Sequence, residues 1–188
     1  TGLLTALILA LCIIWLQIEF GLLPALLTLI FMVISEWLTL YGGDIYWQLW
    51  AFYLPTVTLG FSMARQHPAT PIKMTRSLFL IISGTVLIKC LFNGFEFITT
   101  TLVMIFTPLI YYAVLHKWNL RDTILSMFTV GVSALAGVFA GLAILVVQIS
   151  ASLAGFQKAI DYLSFTFIKR TLGDPNQYLE SAGQAKTS

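Results

Sequence analysis

"LAGVFAGLAILVV", Leu135–Val147, decides the fold class. No charge or hydroxyl interrupts it. A membrane β-strand alternates lipid-facing apolar residues with polar lumen-facing ones, and this run does not alternate. It lies inside a longer apolar stretch, Thr123–Ser150. An α-helix needs roughly 20 apolar residues to cross the hydrocarbon core. The surplus predicts a helix that tilts or extends beyond the bilayer.

The whole chain has the same character. Its 188 residues are 59% hydrophobic and only 10% charged, with a mean hydropathy of +0.91. Soluble domains carry about 25% charged residues. One globular core cannot hide this much apolar surface, so the lipid bilayer is the first expected partner. The expected fold is all-α: a polytopic membrane bundle of about six transmembrane segments with a C-terminal amphipathic helix.

Five further apolar stretches precede 123–150. The first, Gly2–Ile18, ends at "EFGLLP", where Glu19 is charged and Pro24 suits the first turn of a new helix. It lacks the basic n-region of a signal peptide, so a retained span is expected. Leu22–Leu40 follows, closed by the turn "YGGD". Ile45–Ala64 is rich in aromatics, with Tyr46, Trp47, Trp50 and Tyr53 placed like an interfacial belt. Ser77–Phe92 is short and stops at Asn93-Gly94. Phe97–Leu115 holds Pro108, as Ile45–Ala64 holds Pro55, and both prolines predict kinks that free a backbone carbonyl for Thr56, Thr58 or Thr107.

In "SLAGFQKAIDYLSFTFIKRTL", apolar residues recur at helical spacing. The expected organisation is therefore a transmembrane domain over 1–150, an amphipathic surface or docking helix over 151–173, and a polar tail over 174–188. The loops 65–76 and 116–122 carry Arg65, Lys73, Arg76, Lys117 and Arg121. By the positive-inside rule both face the cytoplasm, in a membrane of the bacterial inner (plasma) type. The net charge of +2, without any basic block, gives no indication of nucleic-acid binding.

Charges within spans are costly and point to function or pairing. Lys89 lies a few residues before the outward turn at Asn93, shallow enough to snorkel to headgroups. Glu36 lies at nearly the same depth in another span. The two are expected to form an intramembrane polar pair. Asp44, Gln48, Asn93 and Glu96 would complete an outer, net acidic polar zone. The spacing of Gly137 and Gly141, and of Ala136 and Ala140, predicts a face where helix backbones approach closely.

Catalytic signatures are missing. The sequence holds no HExxH, CxxC, GxSxG or P-loop. Cys12 and Cys90 read as small core hydrophobes. His67 and His116 read as loop residues, unsuited to bind a haem between spans. Neither cofactor nor metal is expected. The favoured reading is a non-catalytic membrane subunit of a larger assembly for transport or secretion, with other membrane subunits or further copies of itself as partners. The alternatives are a stand-alone transporter or channel using the Glu36–Lys89 zone, and a membrane enzyme acting on lipid-linked substrates with Glu36 or Asp44 as base. Against a transporter, few polar groups are expected in the inner half of the bundle.

Overall fold

A computed structural model describes residues 2–42, 48–65, 71, 75–95, 97–153 and 155–172. All regular structure among them is α-helical: α1 (Gly2–Phe20), α2 (Leu22–Ile34), α3 (Glu36–Gly42), α4 (Leu49–Arg65), α5 (Arg76–Asn93), α6 (Ile98–Leu115), α7 (Leu120–Leu153) and α8 (Phe156–Leu172). Four of these, α1, α5, α6 and α7, are long and apolar enough to cross a membrane. The bent pair α2–α3 makes a fifth if it acts as one span. The all-α membrane bundle is therefore present. The chain divides into two compact units, Thr1–Gly141 and Leu142–Ser188, with α7 continuous through the boundary.

Turn chemistry sets the helix ends of the first unit. Gly21 stops α1 with φ of 86°, a conformation open to glycine, and its N–H bonds the Gln17 carbonyl at 3.0 Å. Pro24 falls in the first turn of α2, where its missing N–H costs nothing. Thr75 caps α5 by accepting from the Leu78 N–H at 3.2 Å. α6 closes with paired bonds, Trp118 N–H to Ala113 O at 2.9 Å and Lys117 N–H to Val114 O at 3.3 Å. This is the Schellman pattern, with Lys117 at φ 52° where glycine is usual.

The stretch 22–40, expected as one helix, is broken at Ser35. There the chain bends by 65°. Ser35 has extended backbone angles, its N–H still bonds Phe31 O, and its hydroxyl accepts from the Leu38 N–H at 3.4 Å. A serine that can cap a new helix competes with continuing the old one. α3 then returns the chain to the start of α1: a Cβ on Gly42 would lie 3.8 Å from the Thr5 methyl.

The core draws on four helices. Leu59 and Met63 of α4, Ile82 and Val86 of α5, Ile105 and Leu109 of α6, and Val130 and Ala134 of α7 are buried together. Pro55 and Pro108 are fully buried inside continuous helices. Outside this core the helices stay apolar. Only 11% of the α1 span and 33% of the α6 span is buried. Water would penalise the outer faces; hydrocarbon does not.

Helix direction follows from the contacts. Trp15 of α1 lies under Gly60 of α4, both in the later halves of their helices. α5 and α7 also run parallel: Ser83, Val86 and Cys90 climb along Ser133, Gly137 and Gly141. The two helices touch through small residues. A Cβ on Gly137 would collide with the Ser83 carbonyl, and one on Gly141 would sit 2.8 Å from Cys90 Cβ. The Ser83 hydroxyl donates to the Ser133 carbonyl at 2.7 Å.

In the second unit α7 runs to Leu153 and Gly155 separates it from α8. The first residues of the stretch expected as one helix, 151–173, belong to α7, and α8 covers most of the rest. Ala159 is buried, while Phe156, Tyr162 and Phe165 are exposed. Gln157 donates to Asp161 one turn on, at 3.2 Å. The tail 174–188 lies outside the described residues.

Two substitutions test the backbone account with opposite signs. Lys117→Gly relieves a left-handed lysine and is expected to raise stability by about 0.5–1 kcal/mol. Gly21→Ala meets no neighbouring atom but keeps the positive φ, and is expected to cost about 1 kcal/mol. Unfolding midpoints in detergent read both; the same sign for both would contradict the assignment.

Candidate functional site

The most developed polar cluster joins the ends of α1 and α6. Two i, i+4 pairs face each other there: Trp15 and Glu19 on α1, and Tyr112 of α6 with His116 in the turn just after it. Tyr112 ends the buried stripe Thr101–Ile105–Pro108–Leu109–Tyr112, so its ring points inward. It is fully buried. Its hydroxyl donates to Glu19 Oε1 at 2.5 Å and accepts from Trp15 Nε1 at 3.3 Å. Tyr111 donates to the other carboxylate oxygen at 3.5 Å, a long and weak bond.

Aromatic rings enclose these bonds. Phe20 lies against Tyr111 with centroids 4.9 Å apart, and Trp15 meets Tyr111 edge-on at 6.3 Å. His116 stacks parallel to Tyr112, 6° from coplanar, at 6.2 Å. Its Nε2 is buried with no hydrogen-bond partner among the described residues. The cluster offers a half-buried carboxylate between two phenols and an indole, with an imidazole alongside. It can hold a carboxylate in place and anchor two helices. No group of three or more His, Cys, Asp or Glu among the described residues could hold a metal ion.

His116 lies in the turn that follows α6, as expected of a loop residue, and is half-buried. This cluster corrects one reading: Glu19 does not break α1 but belongs to its last turn. It also puts buried polar groups at the end of the bundle bearing the 116–122 loop, where few were expected. Paired residues one turn apart, Trp15–Glu19 and Tyr112–His116, were the available signal. Their pairing across 93 positions was not readable from either segment alone.

Of the six residues expected in the polar pair and the outer zone, Glu36, Gln48, Lys89 and Asn93 are among the described residues. Lys89 is fully buried, on the same stripe of α5 as Ile82 and Val86. Its ammonium donates to the Gly94 carbonyl at 2.9 Å. A cation at a helix C-terminus meets carbonyls that have no partner in the helix, which explains a lysine in an apolar run. Lys89 thus reaches into protein, where snorkelling to headgroups was expected. Glu36 opens α3 and is exposed, so the two members of the expected pair occupy different settings. Gln48 accepts from Trp50 at 3.1 Å, and Trp50 packs on Phe92 with centroids 5.2 Å apart. That contact brings the start of α4 to the end of α5 beside Asn93, which is half-buried. Asp44, Glu96, Tyr46 and Trp47 lie outside the described residues.

Gly137 and Gly141 are buried against α5, whereas Ala136 is half-buried and Ala140 exposed. The close approach therefore uses the glycines. Among the described residues Thr56 Oγ1, which is buried, has no hydrogen-bond partner, so it does not take up the carbonyl freed by Pro55.

A double-mutant cycle tests the cluster. Tyr112→Phe strands a carboxylate and is expected to cost about 1–3 kcal/mol. Glu19→Gln and the double variant should then show a coupling of about 0.5–3 kcal/mol. Strict additivity would mean that the two side chains do not act together. Among known proteins, no family, no curated protein and no solved structure matches this chain.

Proposed function

We propose that this chain is a non-catalytic integral membrane subunit of a larger assembly that works in transport or secretion across the envelope. One observation supports the reading: three polar side chains set in apolar helices are engaged in fixing helices and helix ends. Glu19 binds Tyr112, Ser83 binds the Ser133 carbonyl, and Lys89 binds the Gly94 carbonyl. The described clefts, one along α1 and α4 and one at the start of α5, are mainly apolar. Neither is lined by Glu19, Tyr112 or Lys89. Such a bundle suits a scaffold better than a reaction vessel.

The membrane proposed is of the bacterial inner type, with loops 65–76 and 116–122 in the cytoplasm. The ends of α4 and α6 and the starts of α5 and α7 flank these two basic loops, in keeping with the positive-inside rule. The exposed apolar residues of α8, Phe156, Tyr162 and Phe165, offer a surface to other subunits or to the membrane.

One observation favours a second reading, a stand-alone transporter: His116 Nε2 is buried with no hydrogen-bond partner among the described residues, on a ring stacked against Tyr112. A buried imidazole of this kind is what proton-coupled carriers use.

Purification in mild detergent followed by mass spectrometry separates the two. The subunit reading expects other membrane chains in fixed stoichiometry. A monodisperse lone species that conducts solute or protons in liposomes, and loses that flux on His116→Gln, would overturn it in favour of the transporter.

A further inference from the structure

A groove of about 360 Å³ runs between α1 and α4 on the outer surface of the first unit. Ile8 and Leu11 form one wall, and Leu54, Val57 and Phe61 of α4 form its floor. These α4 positions share one helical face, and that face ends at Arg65, also part of the lining and exposed. Among the described residues this is the one cation of the lining, and it stands at one end of a mainly apolar channel. Ser62 adds no free polar group, because its hydroxyl donates to the Thr58 carbonyl at 2.7 Å.

The dimensions match one leaflet. At about 1.5 Å of rise per residue, Leu54 and Arg65 lie about 16 Å apart along α4. Half of a hydrocarbon core about 30 Å thick is about 15 Å. A groove that starts at a guanidinium on the helix end and runs that far inward suits one ligand class. Its head must be anionic, to meet a guanidinium that pairs readily with phosphate oxygens. Its body must be a long, flexible alkyl chain. We propose that this groove binds an anionic phospholipid, with one acyl chain lying along Leu54, Val57 and Phe61 and the phosphate held by Arg65. A soluble phosphate would not use the apolar floor. A zwitterionic lipid would gain the floor but carries an ammonium that partly cancels the attraction to Arg65.

The full chain, purified and exchanged into mixed micelles with equal phosphatidylglycerol and phosphatidylcholine, is analysed by native mass spectrometry. One retained phosphatidylglycerol, preferred by roughly fivefold, is expected from the attraction of one basic residue for an anionic headgroup. Arg65→Gln, at an exposed site, should abolish the preference, and Arg65→Lys should keep most of it. Leu11→Trp, which fills the groove, should lower retention of both lipids. Excess inorganic phosphate should leave the lipid bound. The proposal is overturned by equal retention of the two lipids by the unaltered chain, by a preference that survives Arg65→Gln, by displacement with inorganic phosphate, or by retention of neither lipid.

Discussion

The bundle depends on how closely the backbones of α5 and α7 approach at Gly137. A side chain there would strike the Ser83 carbonyl. Hydrocarbon does not push apolar helices together as water does, so association rests on tight packing and interhelical polar contacts. Both occur along this one line. Gly137 and Gly141 admit the α5 backbone, and the Ser83 hydroxyl bonds the Ser133 carbonyl just beside them. The parallel register that results brings Ile82 and Val86 against Val130 and Ala134, the centre of the core. α4 packs on α5, α6 and α1, and α4 and α6 add Leu59, Met63, Ile105 and Leu109 to the core.

Polar contacts secure the two ends. At one end Glu19 fixes α1 to α6 through Tyr112. At the other, Lys89 folds onto the turn that follows its own helix. A polar group left without a partner in a low-dielectric interior is costly, so each contact also penalises alternative arrangements of the same helices. Charges that look anomalous in an apolar sequence become specificity devices once their partners are seen. Among the described residues the same accounting isolates His116 Nε2 and Thr56 Oγ1 as buried atoms that do not fit it.

The apolar helices were legible because their signal is local. Continuous runs such as 135–147 announce a helix without reference to any other segment, and Gly21, Pro24, Asn93 and Gly94 mark ends through their own backbone preferences. The bend at Ser35 was missed because a serine and a glutamate inside an apolar run look like a tolerated interruption, yet together they begin a new helix. Glu19 was read only as punctuation. Its role depends on which faces of α1 and α6 meet, and no periodicity in either segment states that. Lys89 lies near the end of α5, as its spacing from Asn93 implies. Its acceptor, the carbonyl of Gly94, is a backbone atom, and side-chain pairing rules do not point to it. The Gly137 and Gly141 spacing was visible, but the choice of α5 as the helix they admit belongs to the packed structure.

Two glycines test the central claim most directly. Gly84 and Gly137 both lie inside long apolar helices, but a Cβ at Gly84 meets nothing within 4 Å, and one at Gly137 meets the backbone of α5. Alanine favours a helix over glycine by about 1 kcal/mol. Reversible unfolding of the two variants in detergent or bilayers should therefore give opposite signs. Gly84→Ala is expected to stabilise by up to about 1 kcal/mol, and Gly137→Ala to destabilise by about 1–3 kcal/mol as the helices are forced apart. If Gly137→Ala stabilised the protein as much as Gly84→Ala, the close approach of α5 and α7 would not be what holds the bundle in register.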